Sequence, residues 1–318
     1  MSQKVAFIGS GLIGAGLGVN AALNGYDVYF QTRKNTQRAE SLISSAFDIF
    51  IEKEVITEEE RVAAEERCHI TTSIEEAVTG AFFIQESGPE KLELKHEILA
   101  EIEKYALPDA IIASSTSGLS ITKIFENAKH PENCMGGHPY NPSYILPLVE
   151  ITKGERTSEE GAQKAFAFYQ SIGKEPVILN KEISGFIANR FQRAIHREVV
   201  ELVTQGVCTV EAADKAMVYS VGLRWGIIGQ FMTLHLGAMP EGVGHFNEKY
   251  HIDPTLEDKG LATLASWTHF PDGWEQLAQQ GIDAELANRA PETGTNEKGV
   301  EEWRDRMMID MLKLHGKL

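Results

Sequence analysis

The chain has 318 residues, 42% of them hydrophobic, and a formal net charge of −16. That length suggests two domains with sizeable cores; the acidic balance argues against nucleic acid, whose binding needs a basic face, and no apolar run reaches the roughly 18 residues a membrane span requires. Cys68, Cys134 and Cys208 are scattered, with neither metal spacing nor a disulfide framework, so no metal and a reducing cytoplasm are expected.

Residues 5–8 form a short apolar run rich in β-branched and aromatic side chains, and they read as a first strand. A strand that opens at Val5 leaves no room for a secretory signal. Three glycines come next at G-x-G-x-x-G spacing: Gly9, Gly11 and Gly14. An Ala/Leu/Gly-rich helix succeeds them, Gly25 ends it, and residues 28–30 read as a second buried strand. Strand, turn, helix and strand together give the glycine spacing its meaning. Gly9 permits the tight turn, Gly11 lets backbone approach a pyrophosphate, and Gly14 lets the helix pack on the strand. The helix start at Leu12 and Ile13 offers free N–H groups and a positive dipole end to phosphates. A dinucleotide is therefore the expected ligand.

Residues 36–64 are charged, with Leu42, Ile43, Phe47, Phe50 and Ile51 at helical spacing, and read as one long helix or two. Thr57 followed by Glu58, Glu59 and Glu60 resembles a capped helix start. Strands are expected at 69–71, 82–84 and 110–113, with a helical turn at 74–77 and a helix at 90–105. Such alternation implies an α/β fold, a doubly wound and mostly parallel sheet of Rossmann type. After a further strand at 176–179 the pattern changes: from Gly185 onward the chain reads as helical to its end, closing with an amphipathic segment at 296–318. The expected domains are 1–183, which binds the dinucleotide, and 184–318, all-helical, for substrate and dimer contacts.

Ligands in such a sheet sit at the carboxyl ends of the strands, so the turn just after each strand is where chemistry is expected. After residues 110–113 comes a hydroxyl-rich turn containing Ser117. After Gly136 and Gly137 comes His138, with Tyr140 and Asn141 beside it and Glu150 twelve residues on, across a loop able to fold back. An enzyme that removes hydride from an alcohol needs a base for the hydroxyl proton, and histidine titrates in the right range. A carboxylate beside it would fix its tautomer. Ser117 and Asn189 are candidates to hydrogen-bond the substrate oxygen. Each has an ordinary reading as well: a strand-end charge for Glu150, a turn hydroxyl for Ser117, a helix cap for Asn189. In the second domain Arg224 suits a substrate carboxylate or a structural acid of the same domain. Trp225 and Phe231 with Tyr140 suit an aromatic wall for a quaternary ammonium group, core packing being the plain alternative.

The motifs GSGLIG, ASSTSGL, GGHPYNP, LPLVEI and GFIANR resemble the 3-hydroxyacyl-CoA dehydrogenase superfamily over nearly the whole chain. Within it, HPYNPSYILPLVEI, IQESGPEKLELK and GLRWGIIGQFMTLHL resemble the branch of L-carnitine dehydrogenases and L-gulonate 3-dehydrogenase (lambda-crystallin). The resemblance implies His138 as catalytic base with Glu150 as partner, Ser117 and Asn189 as oxygen-binding groups, and Glu90 and Lys95 at the cofactor, with Ser117 and Asn141 close to both ligands. It implies a homodimer. It also implies an NAD(P)-dependent oxidoreductase acting on the 3-hydroxyl of a small 3-hydroxy acid, carnitine first and L-gulonate second. The alternatives are a short-chain 3-hydroxyacyl-CoA dehydrogenase and a non-catalytic, nucleotide-binding crystallin-like protein. One position departs from the pattern. Where NAD-specific members place an acid after the second strand, this chain has Thr32, followed by Arg33 and Lys34. Those side chains suit the 2′-phosphate of NADP; the family favours NAD.

Overall fold

The computed structural model describes residues 3–34, 36–240, 242–250 and 272–318. The chain forms two units, one of residues 1–189 with 304–318 and one of residues 190–303. The first unit is built on β1 (Lys4–Ile8), β2 (Asp27–Gln31), β3 (Cys68–Thr71), β4 (Phe83–Glu86), β5 (Ile111–Ser114), β6 (Cys134–Pro139), β7 (Leu148–Lys153) and β8 (Glu175–Leu179). They join in one sheet of order β3-β2-β1-β4-β5-β6-β7-β8. Every pair is parallel except β6 with β7, which run antiparallel.

The period-two rule distributes side chains to both faces. From β1, Val5 and Phe7 enter one core while Ala6 and Ile8 enter the other. Helices α1 (Leu12–Leu23) and α2 (Thr36–Glu52) cover the first face, the latter through Ile43, Phe47 and Phe50. Between α2 and β3 lies α3 (Glu58–Glu65). The charged segment is thus two helices, and Thr57 caps the second in a reciprocal capping box with Glu60. Helices α4 (Ile74–Val78), α5 (Leu92–Ile102) and α6 (Ile121–Ile124) cover the opposite face. Helix α7 (Glu159–Ser171) returns to the first, where Phe168 stacks on Phe83 at 3.8 Å. This is the doubly wound α/β sheet.

The helix α8 (Ala188–Thr204) starts later than expected. Gly185 and Phe186 precede it with φ of 77° and 48°, left-handed values that end one direction of the chain before the helix sets the next. For a phenylalanine this conformation is strained. The described part of the second unit is helical, with α9 (Val210–Ala216), α10 (Leu223–Trp225), α11 (Gln230–Gly237), α12 (Phe246–Lys249) and α13 (Trp274–Asn288). The expected continuation of helix through 251–271 lies outside the described residues. The expected closing helix forms as α14 (Glu297–Leu314), and from Arg304 on its residues belong to the first unit. There Ile309 is buried and Tyr144 donates to Asp305 Oδ2 at 2.7 Å. Among the described residues no helix is long and apolar enough to cross a membrane.

Candidate active site

The glycine loop sits where β1 ends. Gly9 has φ 98°, and a Cβ there would lie 2.6 Å from the Ser87 carbonyl oxygen; one on Gly14 would lie 2.2 Å from that of Gly9. At Gly11 a Cβ would meet nothing within 4 Å, so this position opens outward. Gly11 is also the N-cap of α1 and carries no side-chain cap, which leaves the first amides of α1, at Leu12 and Ile13, without a side chain of the protein as acceptor. A cavity of about 690 Å³ lies against this loop, lined among others by Gly9, Gly11, Thr32, Arg33, Lys34, Arg38, Ser87 and Pro89. An open glycine, an uncapped helix start and a groove of this size fit the pyrophosphate and ribose of a dinucleotide. At the far end of β2, Asp27 is hydrogen-bonded to His69 Nε2 at 2.7 Å. Asp27 is thus engaged at the wrong end of the strand to serve a ribose.

The antiparallel pairing of β6 and β7 sets His138 opposite Glu150. His138 Nδ1 lies 3.1 Å from Glu150 Oε2, and His138 Nε2 lies 3.2 Å from Ser117 Oγ. His138 is 4% exposed and Glu150 fully buried, whereas Ser117 is exposed. The chain Glu150–His138–Ser117 therefore runs from the interior to an accessible hydroxyl. Glu150 also accepts the Ile187 and Ala188 N–H groups on Oε1 at 2.8 and 3.0 Å, and the Tyr140 hydroxyl on Oε2 at 2.7 Å. Burial alone would push its carboxyl up, but these bonds from His138, Tyr140, Ala188 and Ile187 hold it below the usual carboxylate range. A charged carboxylate facing Nδ1 fixes a proton there and leaves Nε2 as the basic atom.

Glu90 organises the hydroxyl-rich turn. Its Oε1 accepts from the Thr116 hydroxyl at 2.6 Å and from the Ser117 and Gly118 N–H groups at 3.0 and 2.9 Å. Burial raises its carboxyl, and the bonds from Thr116, Gly118 and Ser117 together with the Lys95 charge bring it below its ordinary value. Lys95 is 1% exposed and bonds both oxygens of Glu86, at 3.1 and 2.8 Å, in a network that also takes in Ser114. Its ammonium thus supports the turns after β4 and β5 from within. Ser87 and Ser115, whose hydroxyls are 2.8 Å apart, tie those two turns together. Asn141 is exposed, and Asn189 is half-buried with its backbone N–H on the Tyr140 hydroxyl at 3.2 Å. Arg224, Trp225 and Phe231 belong to the second unit and are exposed there; the Trp225 indole donates to Gln230 at 2.6 Å. The sequence singles out neither Glu86 nor Thr116, and it marks Tyr140 for its ring alone. Glu86 was within reach, since it ends a strand of a nucleotide-binding sheet. The inward direction of the Tyr140 hydroxyl had no signal in the chain.

A model of the 3-hydroxyacyl-CoA dehydrogenase NAD binding domain matches residues 4–183, and one of the C-terminal domain of the same enzymes matches residues 185–273. The chain belongs to the 3-hydroxyacyl-CoA dehydrogenase family. Members of this family are oxidoreductases that act on a hydroxyl group with NAD. The chain is 37% identical to an L-carnitine dehydrogenase of a Pseudomonas species, over 99% of this chain and 94% of that one. It is also 37% identical to an L-carnitine dehydrogenase of Oceanobacillus iheyensis, over 98% and 97%. Among solved structures it resembles 5-formyl-3-hydroxy-2-methylpyridine 4-carboxylic acid 5-dehydrogenase, described as an NAD+-dependent dismutase. That match has a TM-score of 0.79 and 25% identity, covering 99% of this chain and 98% of the other. The (S)-3-hydroxybutyryl-CoA dehydrogenase PaaH1 of Ralstonia eutropha matches with a TM-score of 0.64 and 28% identity, over 68% and 77%.

Proposed function

We propose that this protein oxidises the 3-hydroxyl of a small 3-hydroxy acid, with L-carnitine as first substrate and L-gulonate second. The observation that carries the reading is the Glu150–His138–Ser117 chain of hydrogen bonds, set at the strand ends of the same sheet that carries the glycine loop. A bound nicotinamide dinucleotide supplies the hydride acceptor. His138 takes the hydroxyl proton at Nε2, and Glu150 stabilises the imidazolium that results. Ser117 holds the substrate oxygen beside Nε2, with Asn189 as a second donor. In the reverse direction His138 returns the proton to the same oxygen. Support for a free acid comes from the full-length similarity to two L-carnitine dehydrogenases. The poor basic groove of α2 and α3 points the same way. Lys53 is engaged by Asp310 at 2.5 Å, and Arg61 by Asp48 and Glu65, both at 2.9 Å, so neither stands ready for CoA phosphates.

NAD is the dinucleotide of the family model. A second reading, NADP, is favoured by Thr32, Arg33, Lys34 and Arg38 lining the cavity while Asp27 is held by His69. One assay tests both: absorbance of reduced nicotinamide with NAD+ or NADP+ and L-carnitine, D-carnitine, L-gulonate, 3-hydroxybutyrate or 3-hydroxybutyryl-CoA. Turnover of L-carnitine without turnover of the CoA ester is expected, and the better of NAD+ and NADP+ decides whether Thr32, Arg33 and Lys34 accommodate a 2′-phosphate. Turnover of the CoA ester alone would overturn the substrate assignment. The protein is further proposed to work in the cytoplasm as a homodimer. Apolar side chains exposed in the second unit support the dimer, among them Tyr219, Ile227, Phe231 and Leu236 at 76%, 67%, 82% and 54%.

A further inference from the structure

Glu150 Oε2 is shared. It faces His138 Nδ1 at 3.1 Å and accepts the Tyr140 hydroxyl at 2.7 Å, so the phenol makes the shorter of the two contacts. The same hydroxyl accepts the Asn189 N–H at 3.2 Å. Three successive amides, those of Ile187, Ala188 and Asn189, therefore end on Glu150 and Tyr140 as a unit. Together these two side chains take up donors at the start of α8 that have no partner within the helix. The Tyr140 ring meets the imidazole edge-on, with centroids 4.6 Å apart and planes at 71°. Phe186 covers His138 from another side at 5.0 Å.

We propose that Tyr140 is a positioning residue that sets the basicity of His138. Its hydroxyl draws on the charge of the carboxylate oxygen that faces Nδ1, so the imidazolium is stabilised less than a lone carboxylate would stabilise it. The second contact, to Asn189, fixes where the phenol stands and hence how Glu150 is turned. The groups that bear on His138 are Glu150 from β7, Tyr140 from the loop after β6, Ser117 from the turn after β5, and Glu90, which reaches Ser117 through its backbone N–H. Glu90 acts at one remove, so the phenol is the neighbour whose removal changes the Glu150–His138 pair most directly. Phenol burial and the negative carboxylate push the Tyr140 hydroxyl up, so it remains a donor over the working range.

The test is the ring titration of His138 by NMR in the full chain, the signal assigned by its loss in His138→Gln. Tyr140→Phe keeps the ring and removes the hydroxyl. The midpoint of His138 is expected to rise by about half to one pH unit, the size of shift that one bond to a charged group produces. In a Glu150→Gln background the same substitution should move it little. A midpoint that stays or falls overturns the proposal, whatever happens to the rate, because a merely structural hydroxyl would lower kcat without moving the titration. If Tyr140→Phe does not fold, 3-fluorotyrosine placed at position 140 gives a stronger donor and should lower the midpoint; no change there also overturns it. The kinetic counterpart rests on the function proposed above: the acid limb of kcat/KM for L-carnitine oxidation should move up in Tyr140→Phe. Absence of carnitine turnover would strike that function alone, since the NMR titration needs no substrate.

Discussion

Ser117, His138 and Glu150 each have an ordinary use in proteins, and their arrangement is what gives them chemistry. A histidine bonded at Nδ1 to a buried carboxylate has its tautomer fixed, and its Nε2 is free to exchange a proton with a hydroxyl. Glu150→Gln keeps the size of the side chain and removes the charge. It also presents an N–H group where an acceptor is needed. A fall in kcat of about 10² to 10⁴ is expected, the range that positioned acid–base groups supply. The same substitution has a signature in stability. Because the folded protein holds this carboxyl below its ordinary range, the unfolded chain binds the proton first as pH falls. The stabilisation by charged Glu150 is therefore complete above the unfolded value, about 4.3, and is lost as pH drops through the lower folded one. Denaturant titrations of wild type and Glu150→Gln should differ most near neutrality and converge only as pH falls through the lowered value of the folded carboxyl. A constant difference across that range would mean that the carboxyl titrates normally in the folded protein.

Elements differ in how plainly the sequence announces them. The β1–α1–β2 unit is read from its glycines together with the apolar runs that flank them; the close contacts that exclude a Cβ at Gly9 and Gly14 are made by backbone, and a requirement of that kind leaves one residue type. For 36–64 the sequence leaves one helix or two open, but the start of α3 is legible in Thr57 and Glu60, whose capping box is local in sequence. The reversal at β7 is different. Glu150 meets His138 because the sheet changes from parallel to antiparallel there, and nothing in the residues 148–153 marks strand direction. Twelve residues of spacing allowed the pair but did not require it. Lys95 shows the limit from the other side. The resemblance sets Lys95 at the cofactor, and its ammonium is held by Glu86 in the interior, a pairing between the end of β4 and the first turns of α5 that only the packed fold brings about. Helix α8 starts three residues after Gly185, where the sequence places it, because a φ of 77° makes Gly185 a turn.

At the scale of the whole molecule, a net charge of −16 is compatible with an anionic cofactor, because a helix terminus and a few local cations are able to meet the anion against the global field. The exposed apolar side chains of the second unit call for a cover that a second copy would supply. Sedimentation equilibrium of the full chain should give twice its mass, and a monomer at micromolar concentration would contradict the proposed dimer. The central claim is that His138 carries the proton in a dinucleotide-dependent oxidation. Its most direct test compares wild type with His138→Gln, following reduced nicotinamide with L-carnitine and, in the same samples, dinucleotide affinity by fluorescence. A rate lower by about 10² to 10⁴ is predicted for the variant with the affinity nearly unchanged, because the glycine loop lies on other strand ends. Equal rates in the two proteins would contradict it.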